Sequence, residues 1–208
     1  GRFVIDVNEF PDERALFSGA PTLAAHLKRT LKPARDAITS QIHEHRYWAH
    51  WDKREKLFEA VESLDRFIVL TIDTRVPVFM FTDDHISLYS DKVIVIASDA
   101  PAVLGTLSSS LHFAWFEGTR PPRGATSTYV VSRCLRTFAF PPDSAELTAA
   151  ALNFSNARDD ALAKVKSPTS LYNELDRPGA QSSVVRNLRD TLVQLDRAVA
   201  DSYGWSDL

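Results

Sequence analysis

The 208-residue chain has a net charge of −3 at pH 7 and 44% hydrophobic residues, enough for a real core in one domain or one domain plus a helical appendage. That charge excludes a surface that is basic all over, so any contact with a polyanion must come from local patches. The single cysteine, Cys134, excludes a disulfide framework and a cysteine-built zinc site, and suits a reducing cytoplasm. Standing in strand-like alternation with Arg133 and Leu135, it reads as a small buried hydrophobe. No apolar run reaches the roughly 18 residues of a membrane span, and no basic-then-apolar leader opens the chain. With Gly1 first and Met80 its one methionine, the chain is expected to be a piece of a longer polypeptide.

FVIDV (3–7) predicts an edge strand, or the last strand of a preceding domain, ending in a turn at Asn8 and Pro11. A helix is expected from Pro21 through Leu23, Leu27 and Leu31, and a second from Pro33 to about Arg46. Residues 46–56 then interleave Arg46, Lys53, Arg54 and Lys56 with Tyr47, Trp48 and Trp51. Two readings stand: tryptophans anchoring the core beneath solvated charges, or nucleic-acid contact by phosphate neutralisation and stacking. His43, His45 and His50 lack the His-Glu-x-x-His spacing that puts two metal ligands on one helical face.

After a short amphipathic helix ending near Leu64, RFIVLTI (66–72), VFMF (78–81), ISLY (86–89) and KVIVIAS (92–98) predict an antiparallel meander with polar turns. The first turn carries Arg75. Ser98-Asp99 and Pro101 then predict one helix to Glu117, with Leu104, Leu107, Leu111 and Trp115 on one face and a stop at Gly118. The adjacent serines 108–110 cannot all point one way, so at least one is expected to face a packed neighbour. Ser109 and His112 lack the sharp turn that exposes a hydrolase nucleophile.

From Gly118 to Pro142 the charged residues are Arg120, Arg123, Arg133 and Arg136, with no acid among them. A rigid helix feeding a cationic loop, pinned by an aromatic strand (Phe138, Phe140), is a way to present side chains to a polyanion. Beyond Pro142 the pattern is helical over about 144–164, 168–175 and 183–203. Val185, Leu188, Leu192, Leu195 and Val199 form the seam of a packed helix, and the aspartates give this part an acidic outer surface.

Several stretches together carry a resemblance: FVIDV, KPARD (32–36), YWAHWDKREKLFEAVESLDRFIV, SDKVIVIASD (90–99), LSSSLHFAW (107–115), RTFAFP (136–141), LYNELD (171–176) and LDRAVADSYGW (195–205). In this order they resemble the C-terminal target-recognition part of large restriction–modification methyltransferases, which methylate adenine N6 and often carry their own endonuclease. Members usually have a serine–arginine pair and a lysine in the first β-turn, where this chain has Thr71-Ile72 and Arg75. They usually read tyrosine–threonine–proline where this chain has Tyr129-Val130-Val131. That loop varies in the family with the DNA target.

The resemblance implies an α+β fold. Residues 1–142 would form a target-recognition domain, with a mainly helical lead-in (1–64) and a β-meander, helix and recognition loop (65–142); residues 143–208 would form an all-α helical subdomain. It implies double-stranded DNA and an upstream methyltransferase domain of the same polypeptide as partners, in the bacterial cytoplasm and without a membrane. This chain has no SAM-binding glycine motif, no Asp/Asn-Pro-Pro-Tyr/Phe motif and no nuclease carboxylate pair. No catalysis and no cofactor are therefore expected of it, S-adenosylmethionine and Mg²⁺ belonging to the parent protein. Base reading falls first to Arg120 and Arg123, because a guanidinium fork matches guanine O6 and N7, each bidentate contact contributing about 1–3 kcal/mol of discrimination. Ser127, Thr128 and Tyr129 come second, and Arg75, Arg133, Lys53, Arg54 and Arg46 are expected on phosphates. The other classes are a protein-docking or oligomerisation module and a small enzyme using Asp and His residues.

Overall fold

The computed structural model describes residues 4–37, 46–49, 54–121, 127–165, 167–177, 179 and 182–205. They form two compact units, Gly1–Lys56 and Leu57–Leu208.

Among its described residues the first unit has the helices α1 (Glu13–Gly19), α2 (Pro21–Thr30) and α3 (Lys32–Asp36). Helix α1 was not legible as a helix, yet it starts on a strong local signal: the Asp12 carboxylate accepts the Ala15 N–H at 2.7 Å. Pro21 stands at the start of α2 as expected. Residues 4–7 are not in a strand; Val7 instead buries itself with Leu16, Ala24, Leu27, Tyr47, Trp48 and Ala49. Trp48 therefore follows the core-anchoring reading. The remainder of the expected helix after residue 37, with His43, His45 and His50, lies outside the described residues.

The second unit is α+β. Its antiparallel sheet has the order β2-β1-β3, from β1 (Phe67–Thr71), β2 (Met80–Thr82) and β3 (Val93–Ile96). The register pairs Ile68 with Phe81 and Ile96, and Val69 with Met80 and Val95. Alternation then splits the sheet into two faces. Ile68, Leu70, Phe81, Ile94 and Ile96 pack into one core with Leu104, Leu107 and Phe116. Val69, Thr71, Met80 and Val93 lie on the other. ISLY is not a strand. The Asp84 carboxylate accepts the Ile86 and Ser87 N–H groups at 3.1 and 2.9 Å, closing a turn that leaves Ile86 almost fully exposed. Helix α4 (Glu55–Val61) supplies Val61 to a small apolar site with Phe67 and Tyr89.

The expected single helix after Pro101 is two: α5 (Pro101–Ser108) and α6 (Ser110–Thr119). Ser109 is extended (φ −71°, ψ 157°); its hydroxyl accepts the His112 N–H at 3.2 Å and donates to the Thr106 carbonyl at 2.7 Å. A serine that caps a new helix while bonding the old one is enough to break the run. The three serines do point apart, Ser109 being buried and Ser110 exposed. Gly118 does not stop α6, which runs on to Thr119.

After α7 (Val131–Cys134), the helices α8 (Ala145–Leu162), α9 (Pro168–Asp176) and α10 (Ser183–Ser202) follow the sequence reading to within two residues at each end. Of the expected seam on α10, Val185, Leu188, Leu195 and Val199 are buried. The expected subdivision after Pro142 falls inside the second unit, because Gly105 of α5 packs directly on α8 and α10. A Cβ added at Gly105 would lie 2.5 Å from the Ala151 Cβ and 3.0 Å from a Leu195 methyl. The Ala151 atoms it meets are fixed to the backbone and cannot swing aside. Alanine would gain about 1 kcal/mol of helix propensity at this position. Overpacking costs about 1–3 kcal/mol, and the clash is severe enough to win. Gly105→Ala is thus expected to lower the urea midpoint; a raised midpoint would show that α5 can retreat.

Candidate nucleic-acid interface

The β1–β2 loop and the segment after the arginine-bearing loop are far apart in sequence and joined in space. The Thr74 N–H donates to the Ser127 carbonyl at 3.0 Å, the Tyr129 N–H donates to the Ile72 carbonyl at 2.8 Å, and Asp73 forms an isolated antiparallel bridge with Thr128. These main-chain bonds fix the two loops side by side. Periodicity could not reveal them, because a bridge of one residue pair leaves no alternating pattern.

Beneath the bridge lies an aromatic base. The Tyr129 ring stacks on Phe116 (5.6 Å, 20°) and meets Phe79 edge-on (5.6 Å, 81°), while its hydroxyl bonds His112 Nε2 at 2.9 Å. Phe138 closes edge-on against His112 at 4.5 Å. Tyr129, expected among the base readers, is therefore corrected: it is fully buried, and its one polar atom is spent on a histidine. The expected aromatic strand is also absent. Residues 131–134 form α7 and residues 138–144 have no strand pairing, although Phe138 does pin the site. Cys134 is buried as expected.

Arg120 caps the end of α6. Its guanidinium pairs with Glu117 at 2.7 Å and donates to the Ser127 hydroxyl, over the face of Phe116. Both it and Ser127 are consequently held in place by neighbours rather than standing free. The half-exposed Thr128 hydroxyl donates to Asp73 at 3.4 Å, and Asp73 also pairs with Lys92 at 3.2 Å. Arg75, on the bridged loop, and Arg133, on α7, are exposed and bond to no other described side chain. The same holds for Arg136, which sequence reasoning left out of the contact set although its place in the acid-free run was the available signal.

The other expected phosphate contacts lie in the first unit. Arg46 is half-buried, and its Nη2 donates to the Asn8 and Phe10 carbonyls at 2.9 and 3.1 Å. Arg54 is half-buried with φ 51°. Lys53 and Arg123 lie outside the described residues.

His112 is a buried base. Desolvation pushes its pKa from 6.5 down to about 4, and burial likewise pushes the Tyr129 phenol up. Between those two pH values the unfolded chain binds a proton that the folded chain refuses, so stability rises with pH there. The contribution of neutral His112 is complete above about pH 6.5 and is lost as pH falls towards 4, on the order of 3 kcal/mol in all. Denaturation curves across this window should show a shallower slope for His112→Gln than for the parent chain; equal slopes would remove His112 as the cause.

No protein-family profile matches the chain, and no curated protein does. A solved structure does: the Type IIL restriction-modification enzyme MmeI in complex with DNA, with a TM-score of 0.63 and 17% identity, covering 95% of this chain and 25% of that one. The chain thus spans about a quarter of the length of that enzyme, and the likeness is one of fold.

Proposed function

We propose that this chain is the DNA-sequence recognition module of a restriction–modification, adenine-specific DNA methyltransferase of the bacterial cytoplasm. It holds duplex DNA so that a catalytic domain elsewhere in the parent polypeptide, supplied with S-adenosylmethionine, can flip and methylate the base. Where the parent also cleaves, Mg²⁺ serves that domain. This chain performs no chemistry of its own in the scheme; it binds and orients.

The observation that carries the reading is the main-chain bridge between residues 72–74 and 127–129, flanked by cations on a rigid aromatic base. Recognition needs side chains held in register, since an error of one rotamer forfeits a bidentate contact. In this arrangement Arg75, Arg133 and Arg136 take phosphates; Lys53 and Arg54, in the first unit, are assigned to phosphates from the sequence alone. Arg120 and Thr128, already oriented by Glu117 and Asp73, read base edges with Ser127, and Arg123 is assigned to a base edge from the sequence alone. The fold shared with part of an enzyme solved on DNA supports the same reading.

A gel shift of duplex DNA across a salt series tests it. Retention at low salt that fades steeply as salt rises is the expected result. A chain that fails to retain duplex even at low salt would overturn the reading and leave protein docking in its place.

A further inference from the structure

The second face of the sheet is not covered like the first. Between it and the start of α9 lies a cleft of about 460 Å³, within the range of small-molecule sites. Val69, Met80 and Val93 give it an apolar floor on the sheet, and its polar lining includes Arg75, Tyr172, Asn173 and Asp73, whose charge Lys92 offsets at 3.2 Å. Three features of that lining ask for a ligand. Arg75 bonds to no described side chain. Tyr172, whose phenol burial pushes to a higher pKa, is a second polar lining residue. Pro168 and Thr169, the first turn of the nine-residue α9, line the cleft as well, bringing in the positive end of a helix.

These features select among ligand classes. A fatty acyl chain would leave the amide and phenol rim unpaired, which costs about 1–3 kcal/mol for each stranded group. A bare phosphate would make no use of the apolar floor. A nucleobase has apolar faces and a polar edge, an amide side chain pairs that edge in two places, and an attached phosphate suits arginine and a helix N-terminus. The volume admits a two-ring base together with its sugar.

We propose that the cleft between the open face of the sheet and the first turn of α9 binds a purine nucleoside 5′-phosphate unit, its base over Val69 and Met80 against Asn173 and its phosphate on Arg75. The unit comes either from a free nucleotide or from an unpaired stretch of a DNA strand. The inference stands on the cleft and not on the reading of duplex DNA.

Calorimetric titration of the full chain with AMP, adenosine, inorganic phosphate and a short 5′-phosphorylated oligodeoxyadenylate tests it. AMP should bind at least about tenfold more tightly than adenosine or phosphate alone. Arg75→Ala should erase the advantage of AMP over adenosine, and Asn173→Ala should weaken both. Val69→Trp, which fills the cleft, should abolish binding in a chain whose circular dichroism is unchanged. If Val69→Trp does not fold, Asn173→Ala decides alone. Oligonucleotide that competes with AMP identifies the strand as the source; AMP binding without such competition identifies the free nucleotide. No heat at millimolar AMP, or equal AMP binding by the parent and the Asn173→Ala chain, overturns the proposal whatever the duplex gel shift gives.

Discussion

Replacing Arg158 with alanine lowers the unfolding free energy by about 3–5 kcal/mol. The residue stands on α8 and is fully buried. Its guanidinium donates to the Phe79 carbonyl, to the Ser155 hydroxyl at 3.2 Å and to the Asp159 carboxylate at 3.0 and 3.1 Å. Phe79 ends the β1–β2 loop, and its ring lies against Tyr129 and His112. Alanine would strand the buried carbonyl, at about 1–3 kcal/mol, and leave a side-chain-sized cavity whose lining relaxes only in part. For a chain of this length the melting temperature should fall by about 10 °C. The ion pair itself is the minor part, because the Asp159 side chain is 54% exposed. Asp159→Ala is expected to cost less than about 1 kcal/mol. Equal losses for the two variants would mean that the Phe79 carbonyl finds another donor and that α8 does not hold the loop.

What was legible follows from the range of the interactions. The three long C-terminal segments were readable because each helix carries its own stripe and boundary, with Ser144, Ser167 and Ser182 as N-caps. β1 and β3 were readable as short β-rich runs. ISLY failed because Asp84 offers two main-chain N–H groups a local partner and the run never joins the sheet. FVIDV failed for a related reason: strand composition needs an edge to pair with, and Val7 finds a helical core instead. In the candidate interface, the cationic character of the loop was visible in the absence of acids after Gly118. Its pairing was not. Glu117 lies one residue before the acid-free run begins, and it neutralises Arg120. Tyr129 looked like a loop residue because nothing local announces that Phe116 and His112 of α6 and Phe79 of the β1–β2 loop converge on it.

The largest functional effect is expected from removing the three exposed cations together. Arg75, Arg133 and Arg136 bond to no described side chain, so their removal should leave the folded core intact and act on phosphate binding. Each phosphate neutralised in the complex releases condensed counterions and contributes about 0.9 to the slope of log K against log salt. With three phosphates no longer neutralised, that slope should become shallower by about 2.7. Affinity at low salt should fall by orders of magnitude, alike for every duplex sequence, because phosphates carry no sequence information. Duplex binding of the parent chain and the Arg75→Ala/Arg133→Ala/Arg136→Ala chain, measured over one salt series, is the direct test. Steep dependence in the parent and a slope shallower by about 2.7 in the variant is the predicted result. Superimposable lines for the two chains would contradict the assignment of this face to DNA.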